Sequence, residues 1–297
     1  MNISRVGEVR CQLGEGPLWD AREQALFFVD VLGQAIWRHE PSSGSFDRWS
    51  LPTRVSAMAL RETGGAIIAS GEGLQRFDFE TGALDLVSDP AAGDGRVALN
   101  DGKADAGGRF LVGGVDVTGE QPIASIFSLD ADGAVTSLDG GFRISNGPCW
   151  SPDGGTFYIA DSMARAIYAY DYDRLTGAIA NRRLFADTSP LPGIPDGATV
   201  DARGRVWTAM CDGAAVVCFD ANGAISQSIT FPTGFPSSVM FGGEDLERLF
   251  VTTIDVGSLS SLAVAANAVH RPDTIGGGLF AIDGLDATGL PEHRFAG

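Results

Sequence analysis

Six copies of one pattern run through the 297 residues of this chain. Each copy opens on a small or polar residue. A short strand, a tight turn, a β-rich strand, a loop and a third strand ending in a Gly-containing turn then follow. The copies begin EGPLWDAREQALFFVD, SAMALRETGGAIIASG, NDGKADAGGRFLVGGV, NGPCWSPDGGTFYIAD, DGATVDARGRVWTAMC and SSVMFGGEDLERLFVT. Their first residues are Glu15, Ser56, Asn100, Asn146, Asp196 and Ser237, spaced 41, 44, 46, 50 and 41 apart. A period of ~40–50 residues is that of propeller blades. Segments such as FFVD, AIIAS, TFYIAD and RVWTAM are rich in β-branched and aromatic residues, and no helical period is sustained. Weaker strands at Arg48–Leu51, Leu84–Val87 and Ser226–Phe231 would be outermost in their blades. The stretch Glu8–Leu13 precedes the first copy and is expected to complete the last blade, joining both chain ends and closing the ring. This predicts an all-β, six-bladed β-propeller rather than a sandwich or solenoid. With no linker or low-complexity tract in view, residues 1–297 are expected to form one domain.

Composition narrows the partners. A formal charge of −17 opposes binding to phosphate backbones, so neither nucleic acid nor an anionic membrane is expected as a partner. The cysteines are Cys11, Cys149, Cys211 and Cys218, with no CxxC pair, which suggests buried free thiols. The segment Met1–Gly14 has no basic stretch leading into an apolar one, and no apolar run approaches the ~20 residues needed to span a bilayer. A cytoplasmic protein is the expectation.

The opening column carries the chemistry. Innermost strands line the channel of a propeller, so Glu15, Ser56, Asn100, Asn146, Asp196 and Ser237 should form a polar ring at one mouth. Asx-Gly pairs often only make turns, but turns do not explain a polar residue at the same place in all six copies. Two buried carboxylates need a compensating cation or proton. Glu15 and Asp196, with amide oxygens from Asn100 and Asn146, suit one divalent ion. Oxygen donors without His or Cys favour Ca²⁺, Mg²⁺ or Mn²⁺, with Ca²⁺ foremost and Zn²⁺ or Fe²⁺ also compatible. His39, at the end of a third strand, is expected on the surface.

Second strands should return to the same mouth. Asp30, Asp116, Asp161, Asp212 and Asp255 fall at or just after their ends, either as substrate contacts or as plain loop acids. The last copy carries an insertion, Val256–Gly276, that would lie on this side as a lid, with a short helix over Leu262–Val269. Asp130–Gly133 is similar to part of an EF-hand loop, yet Gly141 stands where a bidentate Glu is required, so a hairpin turn is expected. Gly71–Gly73 is too short for a dinucleotide fingerprint.

LGEGPLW, LNDGKADAGGRF, ISNGPCWSPDGGTFYIADS, YDYDRLTG, PDGATVDARGRVW and GGLFAIDGL, in that order from Gly14 to Leu285, resemble the family of regucalcin, gluconolactonase and luciferin-regenerating enzyme. The resemblance implies a six-bladed propeller with one divalent ion in its mouth. Glu15, Asn146 and Asp196 match the family's metal ligands, and Asn100 matches a residue facing the substrate or a metal-bound water. There are two departures. Ala98 stands where sugar lactonases of the family carry an Arg that holds substrate hydroxyls, and a later family Glu falls near Thr118. Arg96 and Asp116 are the candidates for supplying the missing contacts.

Three functions follow from these readings. The first is a metal-dependent lactonase with Asp196 as proton acceptor and a small-molecule lactone as substrate; no GxSxG motif supports a covalent route. The second is a regucalcin-like calcium-binding regulator, against which the long insertion argues. The third is a phosphoester hydrolase using the same ion. With Ala98 in place of Arg, and apolar Leu262, Val264 and Val269 in the insertion, less hydroxylated or bulkier lactones are expected to be preferred over gluconolactone. Ala98→Arg should then favour the sugar.

Overall fold

A computed structural model describes residues 1–93, 95–257 and 273–297. The helix expected over Leu262–Val269, and most of the insertion with it, lies outside them. The chain folds into six four-stranded antiparallel sheets arranged as a propeller. Blade one is β2 (Gly14–Asp20), β3 (Ala25–Asp30), β4 (Ala35–Glu40) and β5 (Ser45–Ser50). Blade two is β6 (Val55–Leu60), β7 (Ala66–Ser70), β8 (Gly73–Phe77) and β9 (Leu84–Ser88). Blade three is β10 (Val97–Ala104), β11 (Phe110–Asp116), β12 (Ala124–Leu129) and β13 (Val135–Phe142). Blade four is β14 (Ser145–Trp150), β15 (Thr156–Asp161), β16 (Ala166–Tyr172) and β17 (Ile179–Asp187). Blade five is β18 (Ile194–Val200), β19 (Val206–Cys211), β20 (Ala215–Phe219) and β21 (Ile225–Thr230). Blade six is β22 (Pro236–Gly242), β23 (Arg248–Thr253), β24 (Phe280–Asp283) and, from the other end of the chain, β1 (Asn2–Arg5).

The closing strand differs from the expected Glu8–Leu13. Asn2 pairs with Asp283 and Arg5 with Phe280, while Gln12 and Leu13 cross over to donate their N–H groups to the Asp30 carboxylate. The segment 8–13 is a connection rather than a strand: Cys11 donates to the Gly277 carbonyl, Gln12 and Leu13 donate to that acid, and the one strand-like pairing is an isolated bridge from Leu13 to Ile254.

Second strands are packed by blades on both faces, so β3, β7 and β19 are buried throughout and read as mainly apolar runs, broken only by Asp30, Ser70 and Thr208. Outer strands such as β5 and β21 alternate toward solvent. Between blades one and two lie Phe27, Ile36, Met58 and Ile68; Trp19, Phe28, Met240 and Phe250 close the ring between blades six and one. His39 belongs to this packed layer rather than the surface. It is 4% exposed, stacks on Phe46 at 4.3 Å and bonds the Ser45 carbonyl through Nδ1, so a neutral imidazole serves as a flat apolar plate. All four cysteines are free and buried.

Turn chemistry explains the recurring motifs. In DAGGR and DARGR the first Asp folds back on the Arg four residues on: Asp105 accepts from Arg109 at 2.6 Å and Asp201 from Arg205 at 2.7 Å. Asp130–Gly133 forms the turn between β12 and β13, where the Gly133 N–H donates to the Asp130 carbonyl.

The last residues add a clasp that the repeat pattern does not announce. The tail after Gly289 runs across the end of the channel opposite the column. Arg294 pairs with Asp20 of blade one at 2.6 Å, Arg61 of blade two donates to the Gly297 carbonyl, and Ala296 donates to the Gly108 carbonyl of blade three. Phe295 is fully buried among Ala57, Phe110 and Leu129. Phe295→Ala is therefore expected to cost about 3–5 kcal/mol. Urea unfolding should show a lower midpoint with an unchanged slope. Among the described residues no helix is long and apolar enough to cross a membrane.

Candidate functional site

Every inner strand breaks register with its neighbour at the polar column. The shifts fall between Glu15 and Leu18, Val55 and Ala57, Leu99 and Gly102, Asn146 and Cys149, Pro195 and Ala198, and Pro236 and Ser238. A bulge redirects the side chains in and beside it, here toward the cavity in five of the six blades. The EGP and NGP motifs serve this turn. Gly16 and Gly147 have φ of +50° and +62°, and a Cβ on Gly147 would lie 2.8 Å from the Asp196 carbonyl oxygen.

The result is a cavity of about 380 Å³. Glu15, Ser56, Asn100, Asn146 and Asp196 line it. Ser237, the sixth member of the column, does not; its hydroxyl is turned into the wall, bonding the Gly14 carbonyl and the Thr252 hydroxyl. Asn100 Nδ2 donates to Asn146 Oδ1 at 2.7 Å and to the Ser145 carbonyl at 3.0 Å, while Asn146 Nδ2 donates to Ser162 Oγ at 2.9 Å. The two amides thus fix each other's orientation.

Burial, then repulsion from Asp196 and Asp101, holds the Glu15 carboxyl well above the usual carboxylate range. Asp196 is raised by burial and then by Asp101, with the Cys211 thiol hydrogen-bonded to it. Burial also pushes the Cys211 thiol far up, so it stays protonated and is no nucleophile. Asp101 is a site residue that its motif disguised as turn chemistry. Its carboxylate accepts from the Gly147 and Gly102 N–H groups, and burial raises its pKa. Beneath it stands Lys103, the only lysine in the sequence, ion-paired with Glu292 of the tail at 3.3 Å. Burial opposes the lysine's charge, yet Glu292, Cys149 and Asp101 hold its pKa up. This layer caps the floor of the cavity.

The rim acids have structural partners. Asp116 lines the cavity, but its carboxylate accepts from the N–H groups of Thr118, Glu120 and Gln121 and from the Thr118 hydroxyl. Asp30 and Asp161 hold neighbouring loops in the same way. Arg96 is exposed and is not among the described residues that line the cavity. Arg54, just before β6, does reach the cavity, so the absence of a guanidinium at position 98 does not leave the cavity without one. The sequence signal was available: Arg54 precedes the column residue Ser56 by two positions, the same offset as Ala98 from Asn100.

No three His, Cys, Asp or Glu side chains among the described residues come together as a ligand set. A cation here could take the carboxylates of Glu15 and Asp196 with the amide oxygen of Asn146. The crowding of those two acids makes a stability prediction. Their pKa values are raised in the folded chain, so raising the pH ionises them at a cost to folding. In chelator, Glu15→Gln should melt a few degrees above the unsubstituted protein at pH 8, and the gap should close near pH 5. Scanning calorimetry at both pH values checks this; an equal gap at the two would refute it.

Fold and cavity together define a six-bladed propeller with an acid-floored cavity at one end of its axis. The chain belongs to the SMP-30/gluconolactonase/LRE-like family, whose profile matches residues 13–255. It is 35% identical to a pentonolactonase of Haloferax volcanii, over 99% of this chain and 98% of that one. It is 32% identical to regucalcin of Gallus gallus, over 100% and 99%. Among solved structures, a luciferin-regenerating enzyme superposes with a TM-score of 0.90 at 24% identity, covering 99% of each chain, a likeness of fold. Regucalcin of Agrobacterium tumefaciens, a calcium-binding protein, gives 0.87 at 27% identity, covering 98% and 96%.

Proposed function

We propose that this protein is a divalent-metal-dependent lactonase. The observation that carries the reading is the pair Glu15 and Asp196. Two buried acids, both with raised pKa, face one cavity beside two carboxamides, and no basic side chain among the described residues pairs with either. That donor set fits a hard divalent cation, Ca²⁺ before Mg²⁺, Mn²⁺, Zn²⁺ or Fe²⁺. Glu15, Asn146 and Asp196 would hold it. A bound ion supplies a Lewis acid for the lactone carbonyl and for the oxyanion formed on attack.

The protein's own groups do the rest. Asp196 accepts the proton of the attacking water. The water oxygen bonds to the carbonyl carbon, the ring C–O bond breaks, and the proton ends on the departing alkoxide, giving a hydroxy acid. Asn100, fixed by its bonds to Asn146 and Ser145, positions the substrate. Leu13, Val31, Val115, Ile144 and Ile254 form aliphatic walls that exclude bulk water. The pentonolactonase relative supports this reading.

The relatives named regucalcin, one of them a calcium-binding protein, favour a second reading in which the ion is bound without turnover. Assay of the purified protein on sugar, aromatic and aliphatic lactones and on phosphoesters, with and without chelator, separates the two. Chelator-sensitive lactone opening is the expected result. Tight Ca²⁺ binding with no turnover of any compound would sink the enzyme reading, and phosphoester turnover alone would move the activity to another bond.

A further inference from the structure

Above its acid floor the cavity wall is largely aliphatic, with two charged exceptions: Asp116, whose carboxylate is taken by its own loop, and Arg54. The residues two positions before the column are Leu13, Arg54, Ala98, Ile144, Ile194 and Phe235. Of these, Leu13, Arg54, Ile144 and Ile194 line the cavity. Arg54 is the only basic side chain among the described lining residues. Its Nη2 donates to the Leu99 carbonyl at 3.0 Å, the same oxygen that takes the Ser56 hydroxyl at 3.1 Å. No carboxylate among the described residues pairs with it, and burial lowers its pKa. The Leu99 bond engages one of the five donors of a guanidinium. A cation set in an aliphatic wall carries a desolvation cost that no described acid offsets.

Blades two and three are neighbours, and Leu99, whose carbonyl Arg54 holds, follows Ala98. Arg54 presents a guanidinium beside that spot from the adjacent blade. It also lines, together with Ala98, the side cleft that opens next to the cavity.

We propose that Arg54 is the specificity-determining residue of this cavity: its guanidinium fork holds a pair of oxygens on a substituent of the lactone ring, so that lactones bearing vicinal hydroxyls or a carboxylate are the preferred class. The proposal rests on the lactonase reading and replaces the expectation, drawn from Ala98, that less hydroxylated rings are preferred. A planar fork matches two oxygens at once, which a lysine cannot do. The apolar faces of Leu13, Ile144 and Ile194 suit the hydrocarbon edge of the ring.

The test compares kcat/KM of the unsubstituted protein, Arg54→Met and Arg54→Lys on gluconolactone, glucarolactone and caprolactone. Arg54→Met should lose roughly 10- to 100-fold on the oxygenated lactones, the size of a lost hydrogen bond to a charged group. Its rate on caprolactone should change less than about threefold, within the context-dependent scatter of a single contact. Arg54→Lys should fall between. The ratio of glucarolactone to gluconolactone in the unsubstituted protein tells whether a carboxylate or a diol is the better partner. Equal loss on all three compounds, or no loss on any, overturns the proposal. A second readout is calorimetric binding of gluconate and 6-hydroxyhexanoate, which needs no turnover. Binding of gluconate that depends on Arg54 in a protein that opens no lactone would show the fork recognising paired oxygens while overturning the lactonase reading on which the choice of lactones rests. Lactone turnover indifferent to Arg54 would do the reverse.

Discussion

Asp196→Asn is expected to abolish lactone turnover while the propeller stays folded. The substitution keeps the side chain's shape and its place in the β18 bulge and removes one negative charge at the cavity floor. Two losses follow together. A proton acceptor disappears, which by itself accounts for roughly 10²–10⁴-fold in rate. One of the two charges that would face the proposed ion disappears as well. Removing one partner of a buried charge pair costs about 3–5 kcal/mol, or roughly two to four orders of magnitude in Kd. Glu15→Gln should weaken the ion to a similar degree, and Asn146→Ala less, because it removes a neutral donor. Isothermal titration with Ca²⁺, alongside initial rates, reads both effects. Unchanged affinity and activity in Asp196→Asn would remove the proposed site altogether.

Exhaustive chelation should produce the second large effect, loss of nearly all turnover with little change of fold. The reason lies in where the core sits. The apolar clusters fill the seams between blades, away from the axis, as in Phe27, Ile68 and Met58 between the first two blades and Trp207, Phe241 and Phe280 between the last two. Beneath the column, Lys103 already offsets part of the charge of Asp101 and Glu292. Cation removal therefore leaves Glu15 and Asp196 facing each other, a local cost that protonation relieves. Far-UV circular dichroism and lactonase rate on the same metal-free sample decide the point. Full activity after verified metal removal would contradict the mechanism, and global unfolding would show that the ion, when bound, holds the blades together.

Both results depend on a column that was legible before the fold was known. Strand and turn signals are local: alternation, β-branched runs and Asp or Gly at fixed offsets act within a few residues. Six repeats of them determine six blades, and equal position in a repeat implies equal height on the axis. Glu15, Asn100, Asn146 and Asp196 could therefore be placed together from spacing alone.

What only the tertiary structure decided are matters of direction and of long-range contact. Ser237 shares the column's position, but the bulge in its blade turns its hydroxyl into the wall. Asp101 precedes a glycine, as turn acids do, yet burial between blades makes it part of the acid floor. Asp116 sits at the rim with its oxygens already taken by its own loop, while Arg54 reaches in from a neighbouring blade. His39 is buried because a ring partner, Phe46, stacks on it across the hairpin. The closing strand is Asn2–Arg5 because its register with β24 is fixed by a strand almost the whole chain away. The Arg294–Gly297 clasp likewise joins three blades distant in sequence. Local pattern sets which elements form and where they stop; closure of the ring sets which side chains face the axis and which of their oxygens and N–H groups remain available to a ligand.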